Sequence, residues 1–225
     1  MALRKEEVQR KILHFIFGTI IPFGIFYIPM FAEKMSWNAV PPWALPPIIL
    51  VFFLVFFVVV ETLRFRIPAV QDVFQKCCGS MLRQSEKKKA TGATYILAAS
   101  VLCSLVFKDF PLVSAMVLST FIWGDAVAAL VGQSIGRTKI GGKSLEGSIG
   151  CLVLCLVFFL IVFPHVPQLL DKWNGRIPIL LSIIASLCIT IMELFPIKIG
   201  TFEINDNFSV PVITGAVMIL LHPFL

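Results

Sequence analysis

Charge is what this sequence has least of. Only 14% of its 225 residues are Asp, Glu, Lys or Arg, against 58% apolar residues and a mean hydropathy of +0.92. A soluble domain of this size could bury such a composition only by leaving almost no polar surface, so the sequence implies an integral membrane protein. The six cysteines show no zinc-type spacing. Cys77-Cys78 are adjacent, and Cys103, Cys151, Cys155 and Cys188 fall in apolar runs, which is the pattern of free, packed thiols. No internal repeat, low-complexity tract or linker is visible, so residues 1–225 are expected to form a single membrane-embedded domain. No cleavable signal peptide is expected either. The first apolar stretch follows Arg4, Lys5, Arg10 and Lys11, but it is long and lacks a small-residue cleavage site. The net charge of +6 gathers into no basic soluble domain, which excludes a nucleic-acid partner.

What the sequence does have is apolar runs of spanning length. They fall at about 12–31, 43–60, 92–107, 111–131, 149–164, 177–195 and 209–225. The expected fold is therefore an all-α integral membrane protein of about seven transmembrane helices. With the N-terminus inside, 15 of the 19 Lys and Arg residues lie on the cytoplasmic side, and only Lys34, Lys108, Lys172 and Arg176 lie outside. That positive-inside bias predicts an N-in, C-out topology. The segment from Ile67 to Ala90 reads as an interfacial or short cytoplasmic helix. It is followed by a cationic edge, Lys87-Lys88-Lys89, that faces anionic lipid or nucleotide.

Along the chain, His14 and Gly18 share a face of the first span. Glu61 and Arg64, at i and i+3, are placed to pair at the end of the second. Thr91-Gly92-Ala93-Thr94-Tyr95 opens the third with small residues suited to close helix approach. Read blandly, these are an interfacial histidine, a terminal anchor pair and a packing motif. Glu193 lies near the inner end of the sixth span, and Glu203, Asp206 and Asn207 follow in the next loop.

The densest chemistry lies in Trp123–Gly150. Asp125 stands in an apolar span, where an aspartate costs about 2.5–3.5 kcal/mol and commonly lines a polar site. Ala129, Gly132 and Gly136 follow it by four, seven and eleven residues and are expected on its helix face, leaving room for a ligand. Arg137, Lys139 and Lys143 come next, and Ser144, Glu146 and Gly147 open the following span, whose helix N-terminus can bind phosphate oxygens. The GGKS stretch is not a P-loop, because the position that needs glycine is Arg137 and no strand–loop–helix context exists. Phosphate can still be held by the lysines and arginine, with carboxylates on Mg²⁺. Asp125, Glu146 and Asp206 are the expected metal ligands.

These motifs together resemble the polyprenol kinase family of dolichol kinase, phytol kinase and CTP-dependent diacylglycerol kinase. The resemblance runs nearly end to end. It takes in Arg10-Lys11 with His14, Glu61 with Arg64, Thr91–Tyr95, the G-D-x-x-A-A-x-x-G-x-x-x-G-R run at Gly124–Arg137, and K-S-x-E-G at Lys143–Gly147. Glu193 and D-N-x-x-x-P at Asp206–Pro211 complete it. It implies a membrane kinase that transfers the terminal phosphate of CTP or another nucleoside triphosphate to a lipid alcohol with Mg²⁺. Asp125, Lys143 and Asp206 would be catalytic, and Gly132, Gly136, Arg137, Lys139, Lys143, Ser144, Glu146, Gly147 and Asn207 would bind nucleotide. His14, Glu61, Arg64, Thr94 and Glu193 would support the site. The compact length favours a bacterial inner membrane over an endoplasmic reticulum or plastid membrane, with the site facing the cytoplasm. Two other readings stand beside it. Phosphatidate cytidylyltransferases share the G-D-x-x-A run, but end in a histidine-glycine-glycine stretch and an Asp-Arg-x-Asp pattern that this chain lacks. A small transporter would use Asp125 and Glu193 as relay groups, yet the charged groups gather at one face and do not cross the bilayer.

Overall fold

The computed structural model describes residues 5–79, 86, 89–200 and 202–224. Within these, the side chains of residues 5–14, 17, 199, 202 and 203 lie outside the described set. Eight helices run in the order α1 Lys5–Lys34, α2 Leu45–Arg66, α3 Pro68–Cys78, α4 Gly92–Val106, α5 Pro111–Ser134, α6 Leu145–Val157, α7 Ile179–Leu194 and α8 Asp206–Leu221. Seven of them coincide with the seven apolar runs, and α3 is the expected interfacial or short cytoplasmic helix, with no buried residue. Among the described residues, four stretches are long and apolar enough to cross a membrane: Pro42–Arg66, Pro111–Ser134, Leu145–His165 and Asp206–Phe224. The apolar helices Gly92–Val106 and Ile179–Leu194 are shorter. The chain is an all-α membrane protein in its core.

The core is built on α5. Every residue from Leu112 to Ile122 is buried, as expected of a helix that is apolar all round and surrounded by other helices. It packs against α1, α4, α6, α7 and α8. The outer helices succeed one another around it, α1 against α2, α2 against α4, α4 against α8, α8 against α7 and α7 against α6. Trp123 of α5 fills the seam between α1 and α6. Its Nε1 donates to Thr19 Oγ1 at 3.1 Å, while Phe15 meets its ring edge-on and Phe158 tilts against it. By contrast α2 lies at the periphery. Phe52, Val55 and Phe56 point outward, which suits a helix that faces lipid.

Hydroxyl groups inside the bundle are satisfied locally. Ser119, Thr120, Ser186 and Thr190 donate to carbonyls one turn back on their own helices, at 2.6–2.8 Å. Ser114 instead crosses from α5 to the Cys103 carbonyl of α4 at 3.0 Å. Prolines 22 and 29 lie within α1 and Pro211 within α8. Pro211 has no N–H to donate, so the carbonyl of Asn207 lacks its usual helical partner at the start of α8.

Two departures from the sequence reading matter. The glycine-rich loop and the segment after α7 are not irregular. Each is a two-stranded antiparallel hairpin, β1 Lys139–Ile140 with β2 Lys143–Ser144, and β3 Lys198–Ile199 with β4 Phe202–Glu203. The element order helix–hairpin–helix therefore occurs twice, in α5–α6 and α7–α8, where the sequence shows no repeat.

Gly18 marks the closest approach of α1 to α5, since an added Cβ would collide with the side chain of Ile122. Gly18→Leu is expected to cost roughly 1–3 kcal/mol through overpacking. The check is a lowered unfolding midpoint in detergent, with Gly24→Leu, whose position meets only Ile28 of its own helix, as the mild control.

Candidate active site

Hairpin β1–β2 sets the first half of the site. Its loop, Gly141-Gly142, has positive φ at both positions, +55° and +90°. That is the conformation of a tight hairpin turn that follows strand twist, and glycine adopts it without strain. Ile140 pairs with Lys143, Lys139 with Ser144, and the Leu145 N–H donates to the Thr138 carbonyl at 3.0 Å, closing the hairpin at its base. Ser144 then caps α6 by accepting from the Gly147 N–H at 3.1 Å. The GGKS stretch is thus the turn and second strand of a hairpin, not a P-loop.

This geometry turns Lys143 back over the end of the bundle. Its Nζ lies 2.8 Å from Glu193 Oε1 at the end of α7 and 3.0 Å from Asp206 Oδ2 at the start of α8. It also donates to the Glu193 carbonyl oxygen. Burial alone would lower the Lys143 pKa, but the Asp206 and Glu193 carboxylates outweigh it and hold the ammonium above the usual lysine value. Glu193 is only 4% exposed, and its Oε2 is buried without a hydrogen-bond partner among the described residues. Asn205 caps α8 by accepting from the Asn207 N–H at 3.0 Å, which orients Asp206 on the first turn.

Four helices and the hairpin enclose a cavity of about 200 Å³. Asp125, Ala128, Ala129, Gly132 and Gln133 line it from α5, Lys139, Gly142, Lys143 and Ser144 from the hairpin, Gly147 and Ser148 from α6, and Glu193 and Asp206 from α7 and α8. A larger cavity, about 390 Å³, lies at the other end of α5 between Trp43, Lys108 and Asp171. It takes in none of the motif residues, and the smaller cavity is where charge converges.

Of the residues expected at the site, Asp125, Gly132, Lys139, Lys143, Ser144, Gly147, Glu193 and Asp206 meet at this cavity. Others do not. Glu146 turns away, and its carboxylate accepts from the Thr138 N–H at 3.0 and 3.3 Å, so it ties down the segment before the hairpin and does not join Asp125 and Asp206. Gly136 is not on the Asp125 face, because α5 ends at Ser134. It packs instead against the Gly132 carbonyl and the Ser144 side chain. Arg137 is exposed and outside the lining. Asn207 rests beside Gly92, where an added Cβ would come within 2.6 Å of its Nδ2.

Glu61 and Arg64 do not pair with each other. Glu61 Oε1 accepts from the Thr91 N–H at 2.8 Å, Thr91 Oγ1 at 2.7 Å and Thr94 Oγ1 at 2.9 Å. Arg64 Nη2 donates to the carbonyls of Glu86 and Lys89 at 3.0 and 2.9 Å, with its guanidinium against the rings of Phe65 and Phe74. Together they strap the entry to α4 onto α2. The side chain of His14 lies outside the described residues, as do Lys87 and Lys88. Gln133 and Ser148 line the cavity without having been singled out in the sequence. A seven-to-eight-residue step from Asp125 along the same helix could have found Gln133, whereas nothing marked Ser148.

Among the described residues, no three His, Cys, Asp or Glu side chains are close enough together to hold a metal ion. The Lys143 ammonium stands between two of the carboxylates that would do so. Since Asp206 and Glu193 raise the Lys143 pKa, Asp206→Asn should let it fall. The neutral amine should then appear at lower pH, about tenfold more of it per unit of fall. Pulse acylation of Lys143 followed by mass spectrometry measures this, and an unchanged pH midpoint would show that the ion pair is not made in solution.

No family model matches the chain, and no solved structure does. It is 25% identical to CTP-dependent diacylglycerol kinase 1 of Schizosaccharomyces pombe over 97% of this chain and 94% of that protein. It is 32% identical to a probable chloroplastic phytol kinase 1 of Glycine max, over 56% of this chain and 42% of that protein. An uncharacterised protein of Rickettsia prowazekii is 24% identical, over 91% of this chain and 89% of its own length. These relatives agree with the order of motifs along the sequence and with the apolar helices, and the chain is similar to lipid kinases over nearly its whole length.

Proposed function

We propose that this lipid kinase transfers the terminal phosphate of CTP to the hydroxyl of a membrane lipid of the diacylglycerol, polyprenol or phytol type. The observation that carries the reading is the grip of Glu193 and Asp206 on Lys143 inside a cavity that also holds Asp125. Lysine beside carboxylates at a helix-bundle end supplies what phosphoryl transfer needs, a cation for the phosphate oxygens. Near full-length similarity to a CTP-dependent diacylglycerol kinase supports the donor and the acceptor class.

In this reading Lys143 and Lys139 hold the phosphates and neutralise charge that builds on the transferred group. Ser144 and Gly142 edge the same space and let the nucleotide backbone approach. Asp125, closest to the apolar interior, orients the lipid hydroxyl and accepts its proton. As they stand, the carboxylates do not fit Mg²⁺. Asp125, Glu193 and Asp206 lie on one cavity, but among the described residues no three acidic side chains come close enough together to hold an ion, and Lys143 occupies the space between Glu193 and Asp206. All seven long or apolar helices cross the bilayer with the N-terminus inside, so the hairpins and α3 face the cytoplasm of a bacterial cell, beside anionic lipid.

Two measurements test this. Purified protein given CTP, Mg²⁺ and lipid extract should release CDP and phosphorylated lipid. Pyrophosphate together with a CDP-lipid would indicate cytidylyl transfer, and the absence of turnover would favour a transporter. Asp125→Asn should lower kcat by at least about a hundredfold, within the range of a lost general base, with CTP binding retained. Parent-like turnover in that variant would remove Asp125 from the chemistry.

A further inference from the structure

The two helix–hairpin–helix units share their hairpin register and the bond that closes each hairpin, although their sequences share little beyond Lys-Ile-Gly at the first strand of each hairpin. In the first, Lys139 pairs with Ser144 and Ile140 with Lys143, and in the second Lys198 pairs with Glu203 and Ile199 with Phe202. Gly141 and Gly200 open the two turns at φ +55° and +60°. The base of each hairpin is closed by the same backbone bond, Leu145 N–H to the Thr138 carbonyl at 3.0 Å and Ile204 N–H to the Ile197 carbonyl at 2.9 Å. Each following helix has a polar cap, Ser144 or Asn205, whose carbonyl accepts from the serine four residues on, Ser148 at 3.2 Å and Ser209 at 3.3 Å.

Both units border the cavity. Gln133 is the last residue but one of α5 and Glu193 the last but one of α7, and both line it. It returns to the cavity at Lys143 and Ser144 in the first unit and at Asp206 in the second. The first hairpin lines the cavity with its own residues, whereas the second meets it through the flanking residues Glu193 of α7 and Asp206 of α8, and Lys143 links the two. Lys139 lines the cavity from the first hairpin. Lys198 occupies the matching register position on the second and is exposed to solvent.

We propose that the second hairpin is a further phosphate-contacting arm of the site, with Lys198 supplying a cation to a phosphate of the bound nucleotide from the rim opposite Lys139. This rests on the kinase reading and adds a binding residue to it. A triphosphate laid across the cavity mouth would then meet a lysine from each half of the duplicated unit, with Lys143 between them. The only chemistry required is charge-assisted hydrogen bonding to phosphate oxygen.

The test is binding of a fluorescent CTP analogue to the full chain in micelles free of anionic lipid, with turnover measured in parallel. Lys198→Ala should weaken binding about tenfold, the loss of one charge-assisted contact, and raise KM for CTP more than it lowers kcat. Lys198→Arg should restore binding, KM for the lipid should stay put, and the unfolding midpoint should not move. Unchanged nucleotide binding overturns the proposal, as does a defect seen only in vesicles of anionic lipid, where the cation would serve lipid headgroups. A loss that arginine fails to rescue overturns it too. Should the parent protein bind no nucleotide, and Asp125→Asn and Lys143→Met change nothing, the kinase reading itself fails, which is a different result from an inert Lys198.

Discussion

The structure at this end of the bundle depends on one ammonium group. Lys143 touches α7 and α8 at once, through Glu193 and Asp206, while belonging to the hairpin that joins α5 to α6. Without it, two carboxylates would face each other at the edge of a low-dielectric interior with nothing to offset their repulsion. The tight glycine turn is what makes the contact possible, because it reverses the chain within two residues and returns the lysine to the bundle. Four helices and a hairpin are thereby gathered around one cavity, with the lysine cation held among its carboxylates.

Much of the fold was legible in the sequence. Seven apolar runs became seven helices whose ends differ from the expected limits by a few residues, since spanning length and composition are strong signals. The segment from Ile67 was legible as an interfacial or short cytoplasmic helix from its polar, basic composition, and α3 occupies its first half. The hairpins were not. Each strand is two residues long, too short for the alternation that marks a strand, and Gly-Gly with flanking lysines reads equally well as an irregular loop. The duplication escaped notice because it resides in backbone hydrogen bonds and cap positions, which leave almost no trace in side-chain identity.

The site was legible in part, and the reasons differ residue by residue. Asp125, Lys143 and Asp206 stood out because charge near apolar spans is costly, and the structure gathers all three at one cavity. Glu146 stood out for the same reason, but from the first turn of α6 its carboxylate finds the Thr138 amide close at hand, a local competition that spacing does not reveal. Glu61 and Arg64 have the spacing of an ion pair. Each instead finds backbone groups or hydroxyls at the entry to α4, which is reached only once the chain has folded back. Ser148 was silent because a serine in an apolar helix commonly bonds to its own backbone, as this one also does.

The two cavities, one at each end of α5, have a consequence for the membrane itself. One reaches in as far as Leu112 and the other as far as Asp125, 13 residues later. At about 1.5 Å per residue, roughly 20 Å of α5 separates them, against about 30 Å for an ordinary hydrocarbon layer. Water entering from both sides would leave that short stretch to act as electrical insulation. The unbroken burial from Leu112 to Ile122, with its hydroxyls bonded to carbonyls, is the packing such a seal requires. A cavity opened in that stretch would threaten the ion-tightness of the membrane.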